Sequence, residues 1–209
     1  MIKAVLFDMD GVLIDSLEVW HSSLNNTLKN FGKNGISLEE FYKRVINGTT
    51  ASKDIKELFG ELPKERFDGI KNFYYSQFIS SIKKIRINHE AIRVLKGLEK
   101  NKKLGLVTNS SELILSNLFQ HFDFHKYFGS IVNSSMALPK PNPDMLLLAC
   151  KNLGINTGEA IYVGDTLVDV ETAKRAGIRI VFYSQESNQE ADFNIKNLSE
   201  ILEIANGNL

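Results

Sequence analysis

A short apolar run that breaks off into two acids constrains this chain more than any other feature. Ala4-Val5-Leu6-Phe7 leads directly into Asp8-Met9-Asp10-Gly11. Four apolar residues in succession suit a strand buried on both faces, the kind found inside a parallel sheet. A strand with one wet face would alternate instead. Two carboxylates at the carboxyl end of such a strand lie where open α/β sheets place their ligands. Left unpaired they would repel each other and lose hydration, so the arrangement calls for a cation. Asp-Met-Asp-Gly is also good turn chemistry, and the later stretches decide between the two readings.

Downstream, the periodicity divides the chain. After Asp10, residues 11–16 are too short for a full element and are expected to fold over the site, with Asp15 or Ser16 capping a helix. Leu17, Trp20, Leu24, Leu28 and Phe31 follow at helical spacing, and Gly32 suits the stop. Helices are expected at 38–46 behind a Ser37 cap, at 51–59, and at 63–82 opening on Pro63. The aromatics Phe67, Phe73, Tyr74, Tyr75 and Phe78 on the last of these read mostly as bundle core. From residue 88 helix and strand alternate: helix 88–101, strand 104–108, helix 111–120, strand 130–132, helix 143–153, strand 160–164, helix 167–176, strand 178–182, a weaker strand at 192–195 and a last helix at 197–205. That alternation predicts an α/β fold with a doubly wound parallel sheet. The first strand precedes the helical stretch and its partners follow it. The expected core is therefore discontinuous, residues 1–15 and 83–209, with an all-α cap inserted at 16–82.

Composition removes several classes of function. The 25 basic residues balance 25 acidic ones, so no global field favours nucleic acid or an anionic membrane. No stretch is long enough to span a bilayer, and the N-terminus lacks the charged-then-apolar pattern of a signal peptide; a cytoplasmic monomer, with a dimer left open, is the expected state. The single cysteine, Cys150, excludes internal disulfides and cysteine-cluster metal sites, and behind Leu146-Leu147-Leu148-Ala149 it reads as a small buried hydrophobe. The histidines at 21, 89, 121 and 125 show no ligand spacing tied to the acids.

Each later strand ends in residues that complement Asp8 and Asp10. Thr108-Asn109-Ser110 offers a hydroxyl and backbone amides at a helix start, which is either a phosphate cradle or plain helix capping. In Leu138-Pro139-Lys140-Pro141-Asn142-Pro143, three of the chain's four prolines surround one lysine, so Lys140 is either aimed by a stiff backbone or solvated on it. Val163-Gly164-Asp165 delivers an acid at a strand tip, and Asp169 follows one helical turn later on the same face. Asp165 could be no more than a helix cap. Converging on Asp8 and Asp10, however, the two acids would be costly without a cation. Hard oxygen ligands without histidine or cysteine favour Mg²⁺. A cation and a lysine facing a hydroxyl and amides form a kit for holding a phosphoryl group and stabilising its transferring charge.

Asp8-x-Asp10-Gly11-Val12, Thr108-Asn109, Lys140-Pro141 and Gly164-Asp165-x₃-Asp169 resemble, in order and spacing, the four motifs of the haloacid dehalogenase superfamily. Ala173-Lys174-Arg175-Ala176-Gly177 and the helical insertion are similar to its phosphoglycolate phosphatase and β-phosphoglucomutase branch. The resemblance implies that Asp8 is a nucleophile forming an aspartyl-phosphate, and that Asp10 is the general acid and base. It implies Mg²⁺ held by Asp8, Asp165 and the carbonyl of Asp10. Thr108, the Asn109 amide and Lys140 would hold phosphate oxygens, with Asp169 behind them orienting Lys140 or a metal-bound water.

The implied activity is phosphatase action on a small phosphorylated metabolite. A phosphomutase and a non-catalytic phosphate-binding protein are the alternatives. Two departures weigh against the mutase: Trp20 stands where those enzymes are expected to carry a cap histidine, and Ala51 where they carry an arginine. Asp10 counts against a dehalogenase, which needs neither Mg²⁺ nor an acid there. Within the cap, Asn47, Gly48, Thr49 and Thr50, bounded by helices, are the candidate substrate-specificity loop. Trp20 and His21 are candidate cleft residues.

Overall fold

A computed structural model describes residues 1–207, so the last two residues of the expected 83–209 segment lie outside the described range. In chain order the elements are β1 (Ala4–Phe7), β2 (Ile14–Asp15), α1 (Leu17–Asn30), α2 (Leu38–Ile46), α3 (Ala51–Phe59), α4 (Lys64–Ser81) and β3 (Arg86–Ile87). Then follow α5 (Ala91–Leu98), β4 (Lys103–Thr108), α6 (Glu112–His121), β5 (Ser130–Asn133), α7 (Asp144–Leu153) and β6 (Ala160–Gly164). The chain continues with α8 (Leu167–Ala176), β7 (Arg179–Tyr183), β8 (Phe193–Ile195) and α9 (Ile201–Asn206).

Six strands form one sheet in the order β5-β4-β1-β6-β7-β8, and every pairing is parallel. Phe7 lies opposite Leu106 on one side and Val163 on the other, so Asp8 emerges level with the ends of β4 and β6. The connection leaving β1 runs towards β4, and that leaving β6 runs towards β7. The two adjacent strands therefore part company at their carboxyl ends, which opens the crevice an α/β sheet uses for ligands.

The run 4–7 is continuous because each face has its own core. Val5 and Phe7 pack with Leu104, Leu106, Ile161 and Val163 beneath α5, α6 and α9. Ala4 and Leu6 face the other way, onto Val107, Val132, Tyr162 and Ile180 beneath α7 and α8. All four residues of β1 are buried, so the strand is enclosed on both faces as its composition requires.

The four helices α1–α4 lie between β2 and β3, which pair antiparallel as a two-stranded ribbon. Leu24, Leu28, Phe41 and Tyr74 form the centre of that bundle. Of the aromatics on α4, Tyr74 and Phe78 are buried, whereas Tyr75 is half-buried and reaches the cleft.

Several expectations are corrected. Residues 11–16 contain a strand, β2, whose partner β3 has no periodic signature because two residues carry none. The helix expected at 88–101 begins only at Ala91, since Asn88 turns the chain first: its side chain accepts from the Glu90 amide at 3.0 Å and its carbonyl from Ala91. Ser16 sits at the N-cap of α1 but makes no capping bond; its hydroxyl donates to Asp10 instead. The closing helix is split into a 3₁₀ turn at Leu198–Glu200 and α9. Cys150 is buried, as its apolar setting predicts, and burial pushes its thiol up to about 11.

Candidate active site

The crevice between β1 and β6 opens into a cleft of about 440 Å³, bounded below by the strand ends and above by α1–α4. Four sequence features build its floor. β1 ends in Asp8, which is 6% exposed. The next turn brings Gly11 against Asp165. Gly11 has φ +82°, and a Cβ there would stand 2.0 Å from Asp165 Oδ2, so only glycine fits.

The third feature is the corner between β6 and α8. Thr166, not Asp165, caps α8, through a reciprocal box in which its hydroxyl accepts from the Asp169 amide and its amide donates to Asp169 Oδ2. Asp165 is thereby left out of the helix cap, and its carboxyl lies against the Gly11 turn. Gly164 lets the helix approach the strand, because a Cβ there would meet Asp169 Cβ at 2.3 Å.

The fourth feature is the proline-framed lysine. The Lys140 amide donates to Asn109 Oδ1 at 2.9 Å, and Asn109 Nδ2 returns a bond to the Lys140 carbonyl at 3.3 Å. Asn109 and Ser110 are thus not helix caps; Ser111 occupies that position on α6. Lys140 is not solvated but 6% exposed.

Electrostatics follows from this packing. Lys140 Nζ stands 2.9 Å from Asp8 Oδ1 and 2.7 Å from Asp169 Oδ1. It also donates to Tyr162 Oη at 3.0 Å, and that hydroxyl donates to Asp169 Oδ1 at 2.7 Å. Burial works against the lysine's charge, but Asp169 and Asp8 more than offset it and hold the ammonium above its usual range. Burial likewise opposes ionisation of Asp169, and Lys140, Thr166 and Tyr162 overcome it, so this carboxyl sits below its ordinary range. Asp8 shares the same lysine and fares worse: burial, with Asp169 and Asp10 nearby, lifts it to about 7. Burial and the charges of Asp169 and Asp8 push Asp165 well above the carboxylate range.

Carboxylate oxygens of Asp8, Asp165 and Asp169 all lie within 4.8 Å of one another. Three acids around one ammonium leave a formal excess of two negative charges in a desolvated pocket, and a divalent cation would balance it. The atoms show which acids are available to one. Both oxygens of Asp169 are engaged, Oδ1 by Lys140 and Tyr162 and Oδ2 by Thr166. Asp165 Oδ1 is buried with no hydrogen-bond partner at all. An orphaned carboxylate oxygen beside Asp8, in an all-oxygen setting, fits Mg²⁺.

Asp10 points elsewhere. Its Oδ1 accepts from the Ser16 hydroxyl and from Trp20 Nε1 at 3.2 Å, and its Oδ2 accepts from Ser110 Oγ at 3.3 Å. Its carboxyl thus lines the cleft, held by groups from both the sheet and α1. Thr108 is buried at the end of β4, with Oγ1 accepting from the Ser110 amide at 3.0 Å.

The candidates in the helical insertion are not all brought together. Gly48, Thr49, Thr50 and Trp20 line the cleft. Asn47 does not: it is exposed, and its side chain donates to the Lys43 carbonyl at 2.7 Å, finishing α2. His21 turns into the bundle, with Nε2 2.8 Å from the Ile36 carbonyl and its ring tilted against Phe41. Trp20 stacks on Phe78 with ring centroids 3.7 Å apart.

Several participants escape a reading of the sequence alone. Tyr162 looks like one more apolar strand residue, and Ser16 like a helix cap. Lys71 and Tyr75, from the middle of α4, and Asp54, from the first turn of α3, are drawn to the cleft wall. Only Thr166 announces itself, through the Thr-x-x-Asp capping pattern.

Known proteins share this architecture. The sequence model of the haloacid dehalogenase-like hydrolases matches residues 5–183. The chain is 30% identical over 189 residues to a phosphoglycolate phosphatase of Thiobacillus denitrificans, covering 84% of this chain and 80% of that protein. It is 27% identical over 216 residues to a phosphoglycolate phosphatase of Aquifex aeolicus, covering 99% and 98%. The structure of CbbY from Rhodobacter sphaeroides in complex with phosphate has the same fold, with a TM-score of 0.83 at 21% identity over 96% of each chain.

Proposed function

The chain belongs to the haloacid dehalogenase-like hydrolases, and within that family we propose that it is a Mg²⁺-dependent phosphatase that cleaves a small phosphate monoester through an aspartyl-phosphate. One observation carries the reading: Asp8 and Asp169 share a single lysine, and beside them a third carboxylate, Asp165, has a buried oxygen, Oδ1, with no partner. Asp8, Asp165 and the carbonyl of Asp10 would hold the cation. Bound there, it would keep Asp8 ionised and neutralise charge on the phosphoryl oxygens.

The chain's own groups divide the remaining work. Asp8 attacks phosphorus with a carboxylate oxygen as the bond to the leaving oxygen breaks, and Asp10 gives that oxygen its proton. Asp10 then takes a proton from the water that attacks the phosphoaspartate, which releases inorganic phosphate and restores the Asp8 carboxylate. Ser16, Trp20 and Ser110 fix Asp10 in place for both transfers. Lys140, Thr108 and the Asn109 amide hold phosphoryl oxygens, while Asp169 and Tyr162 aim the lysine. The helical insertion at 16–82 acts as a cap that opens for substrate and closes to exclude water.

A phosphomutase is not favoured. Trp20 occupies the position where a mutase would need its cap histidine and donates to Asp10, and Ala51 presents a methyl to the cleft in place of an arginine. Relatives named phosphoglycolate phosphatases make 2-phosphoglycolate the first ester to assay. The test is initial-rate phosphate release across a panel of small monoesters, with Mg²⁺ and with chelator, for wild type and Asp8→Asn. Chelator-sensitive turnover that vanishes in Asp8→Asn is expected. A wild-type protein that binds phosphate esters yet releases nothing from any of them would instead be a binding protein.

A further inference from the structure

Asp54 is a buried acid that the chemistry above does not use. It lies on α3, its side chain is 2% exposed, and burial raises its carboxyl above the ordinary range. We infer that Asp54 is a positioning residue: with Arg44 it clamps the Gly48-Thr49-Thr50 loop through the Thr49 hydroxyl, and so sets how the cap meets the substrate. The inference rests on the phosphatase reading for its substrate, but the clamp itself is a property of the fold.

A carboxylate taken out of water needs partners, and Asp54 has two on one oxygen. Thr49 Oγ1 donates to Oδ1 at 2.8 Å and Arg44 Nη1 at 3.1 Å. Arg44 is in turn steadied by Glu57, whose Oε2 accepts at 2.6 Å. Stability alone does not account for such a group, because well-packed apolar residues serve a small helical core as well as a buried ion pair does.

Placement does account for it. Thr49 lies in the turn between α2 and α3, and Asp54 and Thr49 both line the catalytic cleft. One residue earlier, Gly48 (φ +76°) is pressed against the core: a Cβ there would stand 2.4 Å from Val168 Cγ2 on α8. The loop is therefore seated on α8 from one side and tied to Asp54 from the other. The same bonds sort the loop's own residues. The Thr49 amide donates to the Arg44 carbonyl at 3.0 Å and its hydroxyl to Asp54, so its donors are spent inside the cap. Thr50 Oγ1 accepts from the Lys53 amide at 3.3 Å, which leaves its O–H free for a ligand. Thr49 belongs to the clamp and Thr50 to the substrate.

The experiment compares wild type, Asp54→Asn, Thr49→Val and the double variant with Mg²⁺ across the ester panel, alongside amide hydrogen exchange over residues 44–56. Loosening the loop should raise KM about tenfold, the worth of one charge-assisted hydrogen bond, with kcat changed by less than about threefold. Relative rates across the panel should converge, and the double variant should be no worse than Asp54→Asn, because both changes open the same clamp. Amides at 48–50 should exchange faster while those of β1 and β6 do not. Unchanged KM and unchanged panel ratios in a folded variant would overturn the inference, as would additive effects in the double variant. Should Asp54→Asn fail to fold, Thr49→Val, which removes a single hydroxyl, decides alone. A wild type silent on every ester would sink the phosphatase reading, and the clamp would then stand or fall on the loop's exchange rates.

Discussion

The proposed mechanism asks Asp8 to be a nucleophile in a place that favours its neutral form. Lys140 sits 2.9 Å away but is shared with Asp169 at 2.7 Å, and burial lifts Asp8 to about 7. A carboxyl whose folded-state pKa lies above its unfolded value stabilises the fold fully below the unfolded value, and that contribution is lost as pH rises through the folded one. In chelator, the melting temperature of wild type relative to Asp8→Asn should therefore fall by several degrees between pH 5 and pH 8, and saturating Mg²⁺ should flatten that difference. A flat difference in chelator would mean that Asp8 is ionised without any cation. The same local physics decided what the sequence could reveal. Acids at strand tips are legible because an unpaired buried charge is so unfavourable that its surroundings can be inferred. Tyr162 and Ser16 are not legible, since a phenol in an apolar strand and a serine before a helix acquire their partners only when Asp169 and Asp10 arrive from elsewhere in the chain.

The corner between β6 and α8 shows how a pair of elements carries the site. Thr166 and Asp169 cap the helix reciprocally, and the same Asp169 oxygen set anchors Lys140 and Tyr162. Helix start and lysine clamp are one structure, brought near β6 by Gly164. Gly164→Ala would place a methyl 2.3 Å from Asp169 Cβ, an atom on the helix's own first turn that cannot swing aside. The variant should lose about 1–3 kcal/mol in a urea titration, the usual cost of overpacking. It should also lose kcat, because moving α8 withdraws Asp169 from Lys140. A variant as stable as wild type, or destabilised with kcat intact, would uncouple the two roles. Elements like α8 and β6 were readable from period and punctuation. The β2–β3 ribbon was not, since Ile14 and Ile87 are matched by pairing across the insertion and not by any local pattern.

For the molecule as a whole, the insertion supplies one wall of the cleft whose other wall is the carboxyl end of the sheet. The sheet order, with β1 flanked by β4 and β6, gathers Asp8, Thr108 and Asp165 at one edge, and this much follows from strands that alternate with helices. How the helices of the insertion sit on that edge could not be read in advance, because the contact joins side chains from segments far apart in the chain, Val19 and Phe78 packing into the same core as Ile114 and Leu118. At one such contact Gly48 lies so close to Val168 that an added Cβ would stand 2.4 Å from Cγ2. That contact allows closure to be tested apart from chemistry, since neither residue carries a reactive group. Gly48→Ala adds a methyl that Val168 blocks, and it also strains a backbone at φ +76°, which costs about 1–2 kcal/mol for an L residue. Strain lowers stability wherever the cap sits; the clash acts only when it closes. Gly48→Ala should therefore reduce kcat/KM about tenfold or more, and adding Val168→Ala should recover most of that loss while leaving the melting temperature of the double variant near that of Gly48→Ala. Trp20, the chain's one tryptophan, stacks on Phe78 and donates to Asp10 across the same interface. Its emission should shift in Gly48→Ala and return in the double variant. Rate and emission that stay depressed after Val168→Ala would assign the whole effect to loop strain, and the seat on α8 would then have no part in closing the site.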